Sequence, residues 1–124
     1  MRIFKSTWFS RFARKENIVN KELLDMINKL EAGQSDADLG GDVFKMRLAR
    51  SGEGKSGGYR VMVFFKIGKR TFFIHGFTKS ETANISQKEL AQLKKQAKTL
   101  FAMTEAQIEA ALKEGVFQEI KGDI

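Results

Sequence analysis

The chain has 124 residues, about one domain in length and long enough to bury a single hydrophobic core. It holds no cysteine and one histidine, which excludes a disulfide scaffold, thiolate metal ligation, a cysteine nucleophile and a multi-histidine metal site. Lys and Arg total 22 against 15 acidic residues, a net charge of +7, so the expected partner is anionic.

In chain order, residues 2–5 read as a short edge strand. Trp8, Phe9, Phe12 and Ala13 then fall at helical spacing, with Arg11, Arg14 and Lys15 opposite. Asn20 is placed to cap a second helix whose apolar stripe is Leu23, Leu24, Ile27 and Leu30, ended by Gly33. Residues 34–42 are a polar loop. Beyond it the period becomes two: Phe44, Met46 and Leu48 alternate with Lys45, Arg47 and Ala49, a strand with one apolar and one basic face. A Gly-rich loop fills 50–58. Residues 59–66 and 71–78 form a hairpin about Ile67-Gly68-Lys69, and both strands are apolar on both faces, as in a sheet covered from two sides.

The last third is helical. Ser86-Gln87-Lys88-Glu89 and Thr104-Glu105-Ala106-Gln107 are capping-box patterns, each followed by an apolar stripe. Gly115 ends the second of these helices, and residues 116–120 suit a closing strand. The expectation is one α+β domain over residues 1–124. It has a small antiparallel sheet of three to four strands, N-terminal helices on one side and a C-terminal helical segment. No apolar run approaches the about 18 residues of a membrane span, and the N-terminus lacks the apolar stretch of a signal peptide. The cytoplasm is therefore the expected compartment, with no membrane partner.

The charge is unevenly placed. Residues 43–79 hold nine basic groups and one acid, Glu53, and residues 1–15 hold five basic groups and none. Residues 16–42 are acidic. Lys45, Arg47, Arg50, Lys55, Arg60 and Lys79 thus converge on one strand region. Cations gathered this way repel one another unless an anion joins them, and a guanidinium fork matches two oxygens of a phosphate. Tyr59, Phe73 and Phe77 offer rings on which bases can stack, or else belong to the core. His75 is the one side chain whose ordinary pKa lies near neutrality, placed to serve either as a structural hydrogen-bonding group or as a general base. Ala49 to Ser56 resembles a phosphate-binding loop, but strand-forming residues follow Lys55-Ser56 where that loop requires a helix. It is better read as a strand connection whose Arg50 and Lys55 contact phosphate. Glu22, Asp25, Glu31, Glu105, Glu109 and Glu114 fall on helices and are expected to face solvent. No carboxylate pair has the spacing of a metal site.

Val43-Phe44-Lys45-Met46-Arg47-Leu48, the Gly-rich loop, Gly58-Tyr59-Arg60-Val61 and Phe73-Ile74-His75-Gly76-Phe77-Thr78-Lys79-Ser80 together resemble the RelE/HigB-type toxins of bacterial toxin–antitoxin modules. The resemblance implies a RelE-like fold and a ribonuclease that cuts messenger RNA on the ribosome without metal or cofactor, so inhibiting translation. It also implies a cognate antitoxin, typically a DNA-binding helix-turn-helix protein. Carried across, Arg60 is the sheet arginine that stabilises transition-state charge, and Lys79 protonates the leaving oxygen or shares the charge. Lys45 and Arg47 match basic positions of the preceding strand, and with Arg50, Lys55, Tyr59 and Phe77 they are the residues expected to bind RNA or its phosphates. Ser80 stands where a second Lys is common, and no Tyr or His follows in the C-terminal segment. The general base is then His75 or a lysine whose pKa neighbouring cations depress. A ParE-like gyrase poison and a non-catalytic nucleic-acid-binding module are the alternatives.

Overall fold

Strand β1 (Arg2–Ser6) runs directly into helix α1 (Thr7–Lys15), and one side chain makes the switch. The Ser6 hydroxyl accepts the Phe9 amide (2.9 Å) as N-cap and donates to the Ile74 carbonyl (2.8 Å). The computed structural model describes residues 1–49, 58–78 and 85–121. Within them follow α2 (Asn20–Glu31), β2 (Ala37–Asp38), β3 (Val43–Leu48), β4 (Tyr59–Phe65) and β5 (Arg70–Thr78). Helices α3 (Gln87–Phe101) and α4 (Glu105–Lys113) and strand β6 (Phe117–Glu119) complete the order.

Most of the punctuation expected from sequence is present. Gly33 takes φ +76°, and the amides of Gly33 and Gln34 bond the carbonyls of Leu30 and Lys29, closing α2 in a Schellman motif. Thr104 and Gln107 form a complete capping box on α4, and the Ser86 hydroxyl accepts the Glu89 amide on α3. Asn20 is a correction. Val19 occupies the N-cap of α2 with no side-chain cap bond. Asn20 is the first helical residue, and its Oδ1 accepts instead from Lys5 Nζ at 3.4 Å.

Among the described residues the sheet has six strands in the order β2-β3-β4-β5-β1-β6, more than the three or four expected. All neighbours are antiparallel except β1 and β5, which run parallel with Phe4 opposite Phe72. Strand β1 is therefore not an edge; it lies between β5 and β6. The extra strands are the two residues of β2 and the three of β6, too short to show a period of their own.

Helices cover both faces of this sheet. Phe9, Leu23, Ile27, Met46, Val61 and Phe73 belong to the core under α1 and α2. Phe4, Met62, Phe64, Phe72, Leu100 and Ile108 belong to the core under α3 and α4. That is why β4, in the middle, is apolar at nearly every position.

Two of the acids expected to face only water are joined to arginines. Arg2 pairs with Glu105 (2.8 Å), Glu109 (2.9 Å) and Glu119 (2.8 Å), and its cross-strand neighbour Arg70 pairs with Glu105 (2.8 Å). Arg70 also donates to the carbonyls of Met103 (2.7 Å) and Leu100 (3.3 Å) at the end of α3. Its side chain is 12% exposed, so these are sheltered bonds. Arg70→Ala should cost about 2 kcal/mol, the scale of lost hydrogen bonds to a charged group, read as a lower urea midpoint. Arg70→Lys, which keeps the charge but not the fork, should recover only part of that loss. Among the described residues, no helix is long and apolar enough to cross a membrane.

Candidate active site

Of the basic residues expected to act together, the described ones are Lys45, Arg47 and Arg60, which lie near the end of the sheet where β3 stops and β4 begins. Side chains directly opposite one another in a sheet share a face. Lys45, Met62 and His75 form one row across β3, β4 and β5; Arg47, Arg60 and Phe77 form the next. Both rows point to the α3 side. Arg60 and His75 are diagonal neighbours on adjacent strands, which in regular sheet sets their Cα atoms about 7–8 Å apart.

A β-bulge sets the aim of His75. Met62 pairs with His75 and Val63 with Phe73, so Ile74 is the extra residue, and its carbonyl is the one held by the Ser6 hydroxyl. His75 emerges between the two helical layers. On one side its ring meets Trp8 of α1 edge-on, with centroids 4.6 Å apart. On the other it lines a cleft of about 430 Å³ with Met62, Phe77, Glu89, Gln92 and Gln96. Desolvation of the ring pushes the His75 pKa below the ordinary imidazole value, which favours the neutral form.

Arg60 is half-buried, and its Nη1 donates to the Tyr59 carbonyl at 3.3 Å. Arg47 is exposed; its backbone amide donates to Asp36 Oδ2 (2.6 Å) and its Nε lies 4.0 Å from Asp36 Oδ1. Arg47 and Arg60 stand directly opposite each other. Like charges so placed destabilise a sheet unless an anion joins them. Phe77 is partly buried against the α3 core and reaches the cleft.

Tyr59 and Phe73 do not join this face. Tyr59 points under α1, is 5% exposed, packs edge-on to Phe12 and donates its hydroxyl to Glu16 Oε1 at 2.8 Å. Phe73 is fully buried against Phe9. The stacking surface expected from these two rings is therefore core. A strand that is apolar on both faces gives no sign of which ring stays exposed. Arg50, Lys55, Lys79 and the loop resembling a phosphate-binding motif lie outside the described residues.

Three polar residues of α3 and the tryptophan of α1 also border His75. Glu89, Gln92 and Gln96 repeat at helical spacing, which by itself reads as a solvated face; only the packing of α3 over β5 turns it towards His75. Trp8 belongs by spacing to the apolar stripe of α1, yet it is 47% exposed.

Two opposed arginines and a histidine at one open end of a two-faced sheet form a cluster that can take up an anion. The family follows from the whole sequence. Residues 1–120 match the RelE toxin of the RelE / RelB toxin-antitoxin system, and the chain belongs to that family. It is thus a toxin of a toxin–antitoxin module, with an antitoxin as its partner. No individual curated protein matches it.

Proposed function

We propose that the protein is a metal-independent endoribonuclease that cuts messenger RNA on the ribosome and so stops translation. One observation carries this: opposed Arg47 and Arg60 lie one row from the imidazole of His75, at the open end of the sheet. RNA supplies its own nucleophile. A base removes the 2′-hydroxyl proton, the 2′-oxygen attacks the adjacent phosphorus, and the P–O5′ bond breaks. The 5′-oxygen leaves with a proton, giving a 2′,3′-cyclic phosphate and a 5′-hydroxyl. The phosphorus passes through a pentacoordinate state of added negative charge, which a preplaced guanidinium stabilises without reorganising. In this reading Arg60 carries that charge and Arg47 and Lys45 hold flanking phosphates. Phe77 supports a base at the cleft, and Lys79 protonates the leaving oxygen.

The test is toeprinting and end analysis on programmed ribosomes. Cleavage within the ribosome-bound message, leaving 5′-hydroxyl and cyclic phosphate ends, is the expected result. Intact message under growth arrest overturns the reading in favour of a gyrase-poisoning toxin, and salt-sensitive RNA binding without cleavage overturns it in favour of a binding module.

If His75 is the base, activity has a predictable acid limb. The imidazole works only when neutral, and its pKa lies below the ordinary value of about 6.5. The midpoint of the acid limb in single-turnover cleavage should therefore lie below about 6.5, with the rate falling as the ring gains its proton. His75→Gln should be slow and should lose the limb. A variant that keeps both the rate and the limb assigns the base elsewhere, with a depressed lysine next in line.

A further inference from the structure

The exposed stripe of α1 lies outside the two rows that the ribonuclease reading uses. Trp8, Arg11 and Lys15 recur at i, i+3 and i+7 and are all exposed, so they form one ridge along the helix. The ridge begins at His75, against which Trp8 packs edge-on, and ends at Lys15, which lines a hollow with Tyr59 and Ala49 at the end of β3. It therefore borders the open end of the sheet from the α1 side. Residues 1–15 contain no acid; Glu16 and Glu22 line the hollow at the Lys15 end, where Glu16 accepts the Tyr59 hydroxyl. The indole is also held in place, stacked on Phe12 with centroids 5.5 Å apart and planes 18° from parallel. A large aromatic, pre-oriented and half in water beside spaced cations, is what a single-stranded nucleic acid meets in stacking platforms. The ring takes a base and the cations track the backbone.

We infer that Trp8 receives a nucleobase of the RNA strand beside the linkage that reacts at His75, and that Arg11 and Lys15 hold the phosphates that follow. The strand would leave the cleft under α3, pass His75 and continue along α1. The inference rests on the ribonuclease reading for the identity of the strand as RNA; the ridge is a site for base and phosphate in its own right.

Trp8 is the one tryptophan of the chain, so its emission reports on this site alone. The purified toxin is titrated with a single-stranded 2′-O-methyl RNA dodecamer, which cannot be cleaved, and binding is followed both by indole emission and by anisotropy of a labelled strand. Saturable change in indole emission with the same midpoint as the anisotropy is expected. Trp8→Ala should weaken binding about 5- to 100-fold, the range for losing one base–aromatic stack, while Trp8→Phe, which keeps a ring on Phe12, should recover most of it. The double change Arg11→Gln, Lys15→Gln should lower the slope of log Kd against log salt by about 1.4, two single-strand phosphate contacts. Circular dichroism checks that each variant is folded.

If anisotropy reports binding while indole emission stays constant and Trp8→Ala binds within twofold of the parent, the inference is overturned. Emission that responds to purified antitoxin but not to RNA overturns it as well and makes the ridge a protein-docking surface. Failure of the underlying reading is distinct: ribosome-bound message then stays intact with the unaltered toxin, whatever the titration shows.

Discussion

Arg60→Ala is expected to abolish growth arrest and to slow message cleavage by at least a hundredfold, with the protein still folded. The size comes from the chemistry: removing one preplaced donor to a developing oxyanion typically costs about 10²–10³ in rate. The specificity comes from placement. Arg60 lies in the same row as Arg47 and diagonal to His75 on β4, a strand with antiparallel neighbours on both sides, so its backbone position is fixed. Arg60→Lys should be intermediate, because an ammonium keeps the charge but cannot bridge two phosphate oxygens. Arg47→Ala should lose less, since Arg47 is exposed and already lies near Asp36. Co-purification with antitoxin and an unchanged melting temperature would show that the Arg60 variant is intact. Cleavage by Arg60→Ala at close to the parental rate would remove Arg60 from the site.

Gly76→Ala should be the most damaging single-methyl change in the described sheet. The face of Gly76 towards α1 is filled by the Phe12 ring, and a Cβ there would overlap its ring carbons. Phe12 has little room to yield, being stacked with Trp8, tilted against Phe9 at 6.0 Å and edge-on to Tyr59 at 5.6 Å. Overpacking of this kind costs about 1–3 kcal/mol. At about 4 °C per kcal/mol for a domain of this size, the melting temperature should fall by several degrees. Movement of Phe12 also carries Trp8 and with it the neighbour of His75, so activity should drop beyond what the stability loss explains. In a Phe12→Ala background the ring is gone, and Gly76→Ala should then be close to neutral, a coupling that a double-mutant cycle measures directly. A neutral Gly76→Ala in the unaltered chain would contradict this packing.

The sequence made the secondary elements legible wherever side-chain chemistry is local. The strand-to-strand turn at Gly68, the capping box at Thr104 and the helix end at Gly33 depend on residues within one turn of themselves, and each stands where it was expected. The alternation of Phe44, Met46 and Leu48 with Lys45 and Arg47 was enough to place the two basic groups on one face. What depends on partners distant in the chain was not legible. Strand β1 lies inside the sheet because β6, more than 100 residues later, pairs with its other side. Tyr59 and Phe77 both follow the same apolar rhythm, yet one is sealed under α1 and the other reaches the cleft, because the two faces are covered by different helices. The bulge at Ile74 was hidden too: an added residue in a run of apolar strand formers leaves no mark on composition, although it decides where His75 points.

The position of β1 has a consequence for synthesis. It precedes the other described strands, and its neighbours are residues 70–73 and 117–119, so one edge stays open until β5 has been made and the other until β6 has been made. Pairings of such long sequence separation close late and slowly. The Ser6 hydroxyl that holds the bulge beneath His75 is carried by that same strand. The seat of His75 is therefore finished only when β5 has been made and has closed 68 residues of chain back onto β1.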